Sequence, residues 1–349
     1  MTHKRIFITL VLSGLFITLT SFVLNGRHGS GNTTEEECSD LPADSTVNVI
    51  AWFDNRDTMT YYIYDGEWSF DGEDTVMTIG AYTKVLLTVT DSTKHGYNME
   101  YKFLEFHVDT AINTEKQKWM KLAADKLQER VTGTTIKFRI NEVGEITKYD
   151  NLNEIKKQAK DVMAEVVRAI PYIDTLAAAG IKTERLLKLV DADALVDGYV
   201  EEVELLFQWH GRQFKTGEYT THDDATDTEY ESDTYLGVTY DPENYKYGIM
   251  VDVNNYIPKE DLNDILGVLA DIFLEKEDAD KAKKEMKSGI EEQIKDSVVV
   301  RNSFLYSKYF PDGWPEEIIS QEKTVIGEKG KLSQKYITWD YRSVGNYQQ

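Results

Sequence analysis

His222-Asp223-Asp224, with Asp227, Glu229, Glu231 and Asp233, forms the densest run of oxygen ligands in the chain. A calcium ion takes about six to eight oxygens, and this loop, 222–233, has the ligand types. It has no enforced ligand spacing, so a solvated acidic loop is the expectation and calcium the alternative. Asp191, Asp193 and Glu202 fall at positions 1, 3 and 12 of a calcium loop. That reading fails twice. Position 6 needs Gly for its turn and is Val196, while position 5 needs an oxygen and is Leu195. Asp191 or Asp193 is better read as a helix cap.

Other chemistries lack their residues. None of the six histidines belongs to His-Glu-x-x-His, the zinc-protease pair one helical turn apart. Cys38 is the only cysteine, so thiolate metal sites and internal disulfides are excluded. Neither a Gly-x-Ser-x-Gly elbow nor a phosphate-binding loop is present. No catalytic, cofactor-binding or metal residue is therefore assigned, and no cofactor is implied. Carboxylate pairs abound, but a glycosidase pair is defined by its separation in space, so picking one from sequence would be arbitrary. Trp52, Phe53, Tyr61, Tyr62, Tyr64, Trp68 and Phe70 make a dense aromatic stretch. Such rings either pair across strands or stack on a sugar or other ligand, and cross-strand pairing is the expectation.

The segment that decides the setting of any chemistry is the first 26 residues. His3-Lys4-Arg5 precedes an uncharged apolar run, residues 6–24. This is the pattern of an export signal, although the run approaches the length of a membrane-spanning helix. Residues 1–26 are read as a cleaved signal peptide, with an uncleaved tether through 6–24 as the alternative. Residues 27–45 are polar and read as a disordered leader. Cys38 follows three glutamates well beyond the apolar run, where lipidation is not expected. The predicted location is the periplasm or envelope of a Gram-negative cell. With 61 Asp+Glu against 39 Lys+Arg, net −22, the chain repels nucleic acid.

Residues 46–349 read as one α+β domain, with a curved antiparallel sheet carrying helices on one face. Period-two patterns predict strands from Val47 to Val108, with turns at Asp65-Gly66, Asp71-Gly72 and Asp91–Gly96. Tyr97, Met99, Tyr101, Phe103 and Glu105 are predicted on one face, with Leu104, Phe106 and Val108 on the other. A helix is predicted over 113–128, then a hairpin turning at Glu142-Val143-Gly144. Helical periodicity occupies about 151–209, opening with an Asn151/Glu154 capping pair, and about 258–288. Strands are predicted from Phe214 to Val253 and from Ser297 to Tyr341, the latter broken by the Phe310–Pro315 turn.

Three groups of residues carry a resemblance. They are Gly133–Phe138 with Val143-Gly144-Glu145-Ile146, Leu206-Phe207-Gln208-Trp209-His210-Gly211 with Phe214–Tyr219, and Asp312-Gly313-Trp314-Pro315. Together they resemble a group of secreted Gram-negative envelope proteins whose fold is similar to the half-barrel of lipoprotein carriers (LolA/LppX-like). The resemblance implies a curved sheet holding helices or a lipid in its concave face. It supplies no catalytic residues.

These readings imply a non-catalytic exported protein that binds a hydrophobic, lipid-like ligand or an envelope partner. The alternatives are a glycan-acting hydrolase and a surface carbohydrate-binding protein using the Trp52–Phe70 aromatics.

Overall fold

The computed structural model describes residues 45–72, 74–109, 125, 128–129, 131–168, 192–226, 229–258, 280–281, 283–284, 299–326 and 329–343. The predicted signal, the leader with Cys38, and most of the 113–128 and 258–288 helices lie outside them.

Among the described residues the chain is mostly β. Thirteen strands are present: β1 (Thr46–Asn48), β2 (Thr58–Asp71), β3 (Asp74–Thr93), β4 (Gly96–Asp109), β5 (Thr135–Ile140), β6 (Ile146–Tyr149), β7 (Gln213–Lys215), β8 (Gly217–Asp223), β9 (Glu231–Asp241), β10 (Lys246–Ile257), β11 (Val299–Tyr309), β12 (Pro315–Ile326) and β13 (Lys329–Ser343). Two helices, α1 (Leu152–Arg168) and α2 (Ala192–Phe207), pack together. Eleven strands form one open antiparallel sheet in the order β6-β5-β4-β3-β2-β13-β12-β11-β10-β9-β8, and β1 pairs with β7 alone. Within the large sheet, strands adjacent in space are consecutive in the order of that sheet's strands along the chain. The exception is β2 against β13, which joins the first block of strands to the last.

The inner face, toward α2, carries the core. Tyr61 and Ile63 of β2, Val85 and Leu87 of β3, and Tyr101 and Phe103 of β4 are buried there, under Val203, Leu206 and Phe207 of α2. The period-two alternation has the physical cause expected of a sheet with one covered face.

Three details depart from the sequence reading. Asp65-Gly66 is not a turn, because β2 runs straight through it and reverses only after Asp71. Gly66 is there to make room: the Trp68 ring lies over its bare Cα, where a Cβ would collide. In β4, a bulge at Leu104 sets Lys84 opposite Glu105 and Val85 opposite Phe103. Glu105 thereby leaves the face of Phe103 and Tyr101, and Phe106 comes opposite buried Thr83. Asn151 does not cap α1 with its side chain. Its carboxamide accepts from the Lys137 N–H at 2.8 Å and donates to the Thr135 carbonyl at 2.8 Å, tying the helix start to β5.

The three turns behind the sequence resemblance converge at one end of the sheet. Trp314, fully buried, stacks on Phe53 with ring centroids 4.1 Å apart. The His210 Nε2–H donates to the Gly313 carbonyl at 3.0 Å, so this imidazole carries its proton on Nε2. Gly144 approaches so near the His210 ring that a Cβ would collide with it, and its φ of +99° also favours glycine. The Trp52 N–H reaches the Asp312 carbonyl at 2.9 Å, and the Gly211 N–H reaches Val49 O at 2.9 Å. Burial holds the His210 imidazole down to about 4, with the Gly313 and Phe207 carbonyls pulling weakly upward.

Two outcomes follow. Trp314→Ala removes a wholly buried ring and should cost about 3–5 kcal/mol in urea unfolding. The depressed His210 value means the folded state excludes the proton that the unfolded chain accepts below about pH 6.5. Stability is full above that pH and falls toward pH 4, by on the order of 3 kcal/mol from this group. In His210→Gln that component of the pH profile should disappear.

Candidate functional site

Inner-face rows change character along the strands. One row, Val238–Ile249–Ser307–Ile318–Ile337–Ile63–Thr83, runs in register across seven strands and is buried throughout. The row two residues further along is half-buried and of mixed chemistry. Tyr219, Leu236, Val251 and Leu305 lie opposite one another on β8, β9, β10 and β11. They continue into Ser320, Lys335 and Asp65 on β12, β13 and β2. The next row is polar near the middle, with Ser303, Glu322, Ser333 and Glu67 in register. The mixed row is thus the boundary between core and polar surface, apolar at one end and charged at the other.

The charged end is tightly organised. Glu202 of α2, 7% exposed, accepts from the Tyr101 hydroxyl at 2.5 Å and from the Lys335 ammonium at 3.4 Å. Lys335 also pairs with Asp65 at 2.7 Å. Burial raises the Glu202 carboxyl above its ordinary value, and Lys335 and Tyr101 offset only part of that. Burial pulls the Lys335 ammonium down, but Glu202 and Asp65 outweigh it and leave the group raised. The cluster is one cation between two carboxylates, each hydrogen-bonded, in a place where a lone charge would be costly. Helical spacing turns Glu202 inward: it lies on the same side of α2 as Val203 and Leu206, both buried.

The residues picked from sequence are distributed differently. Glu202, position 12 of the rejected calcium loop, is bound to Tyr101 and Lys335, and Asp191 lies outside the described residues. The acidic stretch 222–233 spans the end of β8, the connection after it and the start of β9, with Asp227 outside the described residues. The Asp233 carboxylate accepts from the Tyr256 hydroxyl at 2.6 Å and contacts His222 Nδ1 at 2.8 Å. The Tyr256 and His222 bonds hold the Asp233 carboxyl below its ordinary value. His222 is raised by that same bond. Among the described residues no group of three or more His, Cys, Asp or Glu side chains is arranged to hold a metal. The Trp52–Phe70 aromatics do not form one surface. Phe53 and Tyr61 are buried, Trp52 is 68% exposed in the segment between β1 and β2, and Tyr62, Tyr64, Trp68 and Phe70 belong to the outer face. Sequence reasoning missed Lys335, Asp65 and Tyr101. Each sits in an alternating strand where a charged or hydroxyl-bearing residue takes an inward position, a signal readable only once register is known.

No family model matches the chain, and no curated protein sequence matches it. Among solved structures, 85% of the chain aligns with 26% of a chain described as "lipid-protein interactions in lipovitellin", at 9% identity and a TM-score of 0.39. It also aligns over 86% of its length with all of an outer membrane channel from Pseudomonas putida, at 7% identity and a TM-score of 0.14. The chain thus spans about a quarter of the lipovitellin chain. Both similarities are low. Among the described residues no helix is long and apolar enough to cross a membrane.

Lys335→Met leaves Glu202 buried beside Asp65 without its cation. The variant should lose about 3 kcal/mol at pH 8. A carboxyl raised in the folded state favours folding once it is protonated, so the loss should shrink near pH 5. Urea titrations at the two pH values check this.

Proposed function

We propose that the protein is exported, non-catalytic, and binds an amphipathic, lipid-like ligand along the mixed row of its inner face. The observation that carries this reading is the register itself. Four half-buried apolar or aromatic side chains, Tyr219, Leu236, Val251 and Leu305, lead directly into Ser320, Lys335 and Asp65. A ligand with an apolar tail and a polar head meets matching chemistry at both ends. Burial of an alkyl chain contributes about 0.8 kcal/mol per methylene, so a tail of about ten methylenes dominates the gross affinity. Ordering the ligand offsets a share of that. The head contributes less, because Lys335 is already paired on both sides, and it serves mainly to set orientation. The excess of carboxylates in the cluster and the net charge of −22 favour zwitterionic or uncharged heads over anionic ones.

In this reading the open sheet is a half-barrel of the lipoprotein-carrier kind, and residues 1–26 direct it to the envelope of a Gram-negative cell. The support for export is the apolar run 6–24 behind Lys4 and Arg5.

The test uses a fluorescent fatty-acid probe and its displacement by zwitterionic lipid. Wild type should take up the probe. Leu305→Glu and Val251→Asp, which place a charge in the apolar stretch, should weaken it by about tenfold or more, a loss of at least about 1.4 kcal/mol. Absence of uptake by folded wild type, or uptake indifferent to both substitutions, would contradict the assignment.

A further inference from the structure

The opposite, outer face carries a second organised surface. His107 of β4, Tyr82 of β3, Tyr64 of β2 and Tyr336 of β13 stand directly opposite one another in register. Their rings form one continuous strip. Tyr82 and His107 stack at 4.7 Å and 23°, Tyr64 and Tyr82 lie 6.1 Å apart at 35°, and Tyr64 and Tyr336 lie 6.1 Å apart at 27°. At a strand spacing of about 4.8 Å, the strip is roughly 14 Å long. It is partly open to solvent: Tyr64 is 44% exposed, and so is the His107 side chain, while Tyr82 and Tyr336 are half-buried.

A polar rail runs beside the strip on the same face, two residues along each strand. Glu105, Lys84, Tyr62, Thr338 and Glu317 are paired in register there. Glu105 accepts from the Tyr82 hydroxyl at 3.4 Å and Glu317 from the Tyr336 hydroxyl at 3.0 Å. Lys84 donates to the Tyr62 hydroxyl at 3.0 Å and pairs with Asp340 at 3.1 Å. These bonds fix the edges of the rings. Beside the row of rings they leave a line of donors and acceptors.

That combination suits a carbohydrate. The C–H faces of pyranose rings stack on aromatic faces, and their hydroxyls both donate and accept along a mixed rail. Charge narrows the class. Glu105, Glu317 and Asp340 outnumber Lys84, and the whole chain is acidic, so uronate- or phosphate-bearing chains and anionic membranes are repelled. We infer that the strip His107–Tyr82–Tyr64–Tyr336 is a binding site for an uncharged, linear hexose oligosaccharide. It lies on the opposite face from the lipid-like site and does not depend on it.

The experiment presents the folded protein to an array of neutral and anionic oligosaccharides. The best neutral binder is then titrated against wild type, Tyr64→Thr, Tyr82→Thr, Glu317→Gln and the off-strip control Val76→Thr. Binding to neutral chains should weaken about tenfold or more in each tyrosine variant and a few-fold in Glu317→Gln, with no change in Val76→Thr. Should the tyrosine variants misfold by circular dichroism, saturation-transfer NMR on wild type decides. Ring C–H protons of the sugar should receive the strongest saturation from aromatic resonances. The assignment is overturned by absence of neutral-glycan binding at millimolar concentration, by binding that survives the tyrosine substitutions, by saturation that bypasses the aromatic resonances, or by capture of anionic glycans or phospholipid vesicles in place of neutral chains.

Discussion

The pairing of β2 with β13 is the constraint on which the rest of the structure depends. Strands from opposite ends of the described chain meet here over their whole lengths, Thr58 against Ser343 and Asp71 against Lys329. Without this seam the first and last strand blocks would each end in an exposed edge, and the eleven-stranded sheet would be two smaller ones. The entropy of closing so long a loop grows only logarithmically with its length, so an in-register seam with contacts on both faces can offset it. Those contacts also belong to the core and to the two candidate sites. Ile63–Ile337 lies in the buried row of the inner face, Asp65–Lys335 anchors the charged cluster, and Tyr64–Tyr336 joins the aromatic strip outside.

The seam is held in place at one end by three glycine turns packed around His210 and Trp314. The Phe310–Pro315 turn connects β11 to β12, so the stacking of Trp314 on Phe53 fixes the last block of strands against the segment entering β2. Tyr61, itself in β2, donates to the Pro315 carbonyl at 3.0 Å and completes the tie. From this anchored end the inner face grades outward from buried, to mixed, to polar. The grading follows from strict antiparallel register: each step of two residues moves every strand from one row to the next. A one-residue slip in β13 would turn Lys335 outward and Tyr336 inward, disrupting both candidate sites together.

Much of this layout was legible in the sequence. The β5–β6 hairpin, the β3–β4 reversal and the strands on either side of Phe310–Pro315 follow from alternation and turn chemistry. Three turns among the motifs that carried the resemblance, at Gly144, Gly211 and Gly313, meet in space around His210. Among the described residues the architecture is mostly antiparallel β with the helices α1 and α2, while much of the predicted helix lies outside them. The failures have local causes. Asp65-Gly66 has the composition of a hairpin turn, but the glycine accommodates the Trp68 ring. The bulge at Leu104 leaves no mark in the alternation, yet it exchanges the faces of Glu105 and Phe106. Asn151 binds β5 with the side chain expected to cap α1. The candidate sites were hidden for a different reason. Lys335 and Glu202, or Tyr64 and Tyr336, become neighbours only through the long-range seam, and residue types along one strand cannot reveal which strand lies beside it.

The most direct test of the central claim, that the mixed row of the inner face holds an amphipathic molecule, is native mass spectrometry of the protein isolated from a Gram-negative envelope without detergent. The account predicts a noncovalent adduct of lipid mass at about one per chain, released by organic solvent and absent when Leu305 is replaced by Glu. A mass equal to that of the bare chain, with no adduct after incubation with zwitterionic lipid, would contradict it.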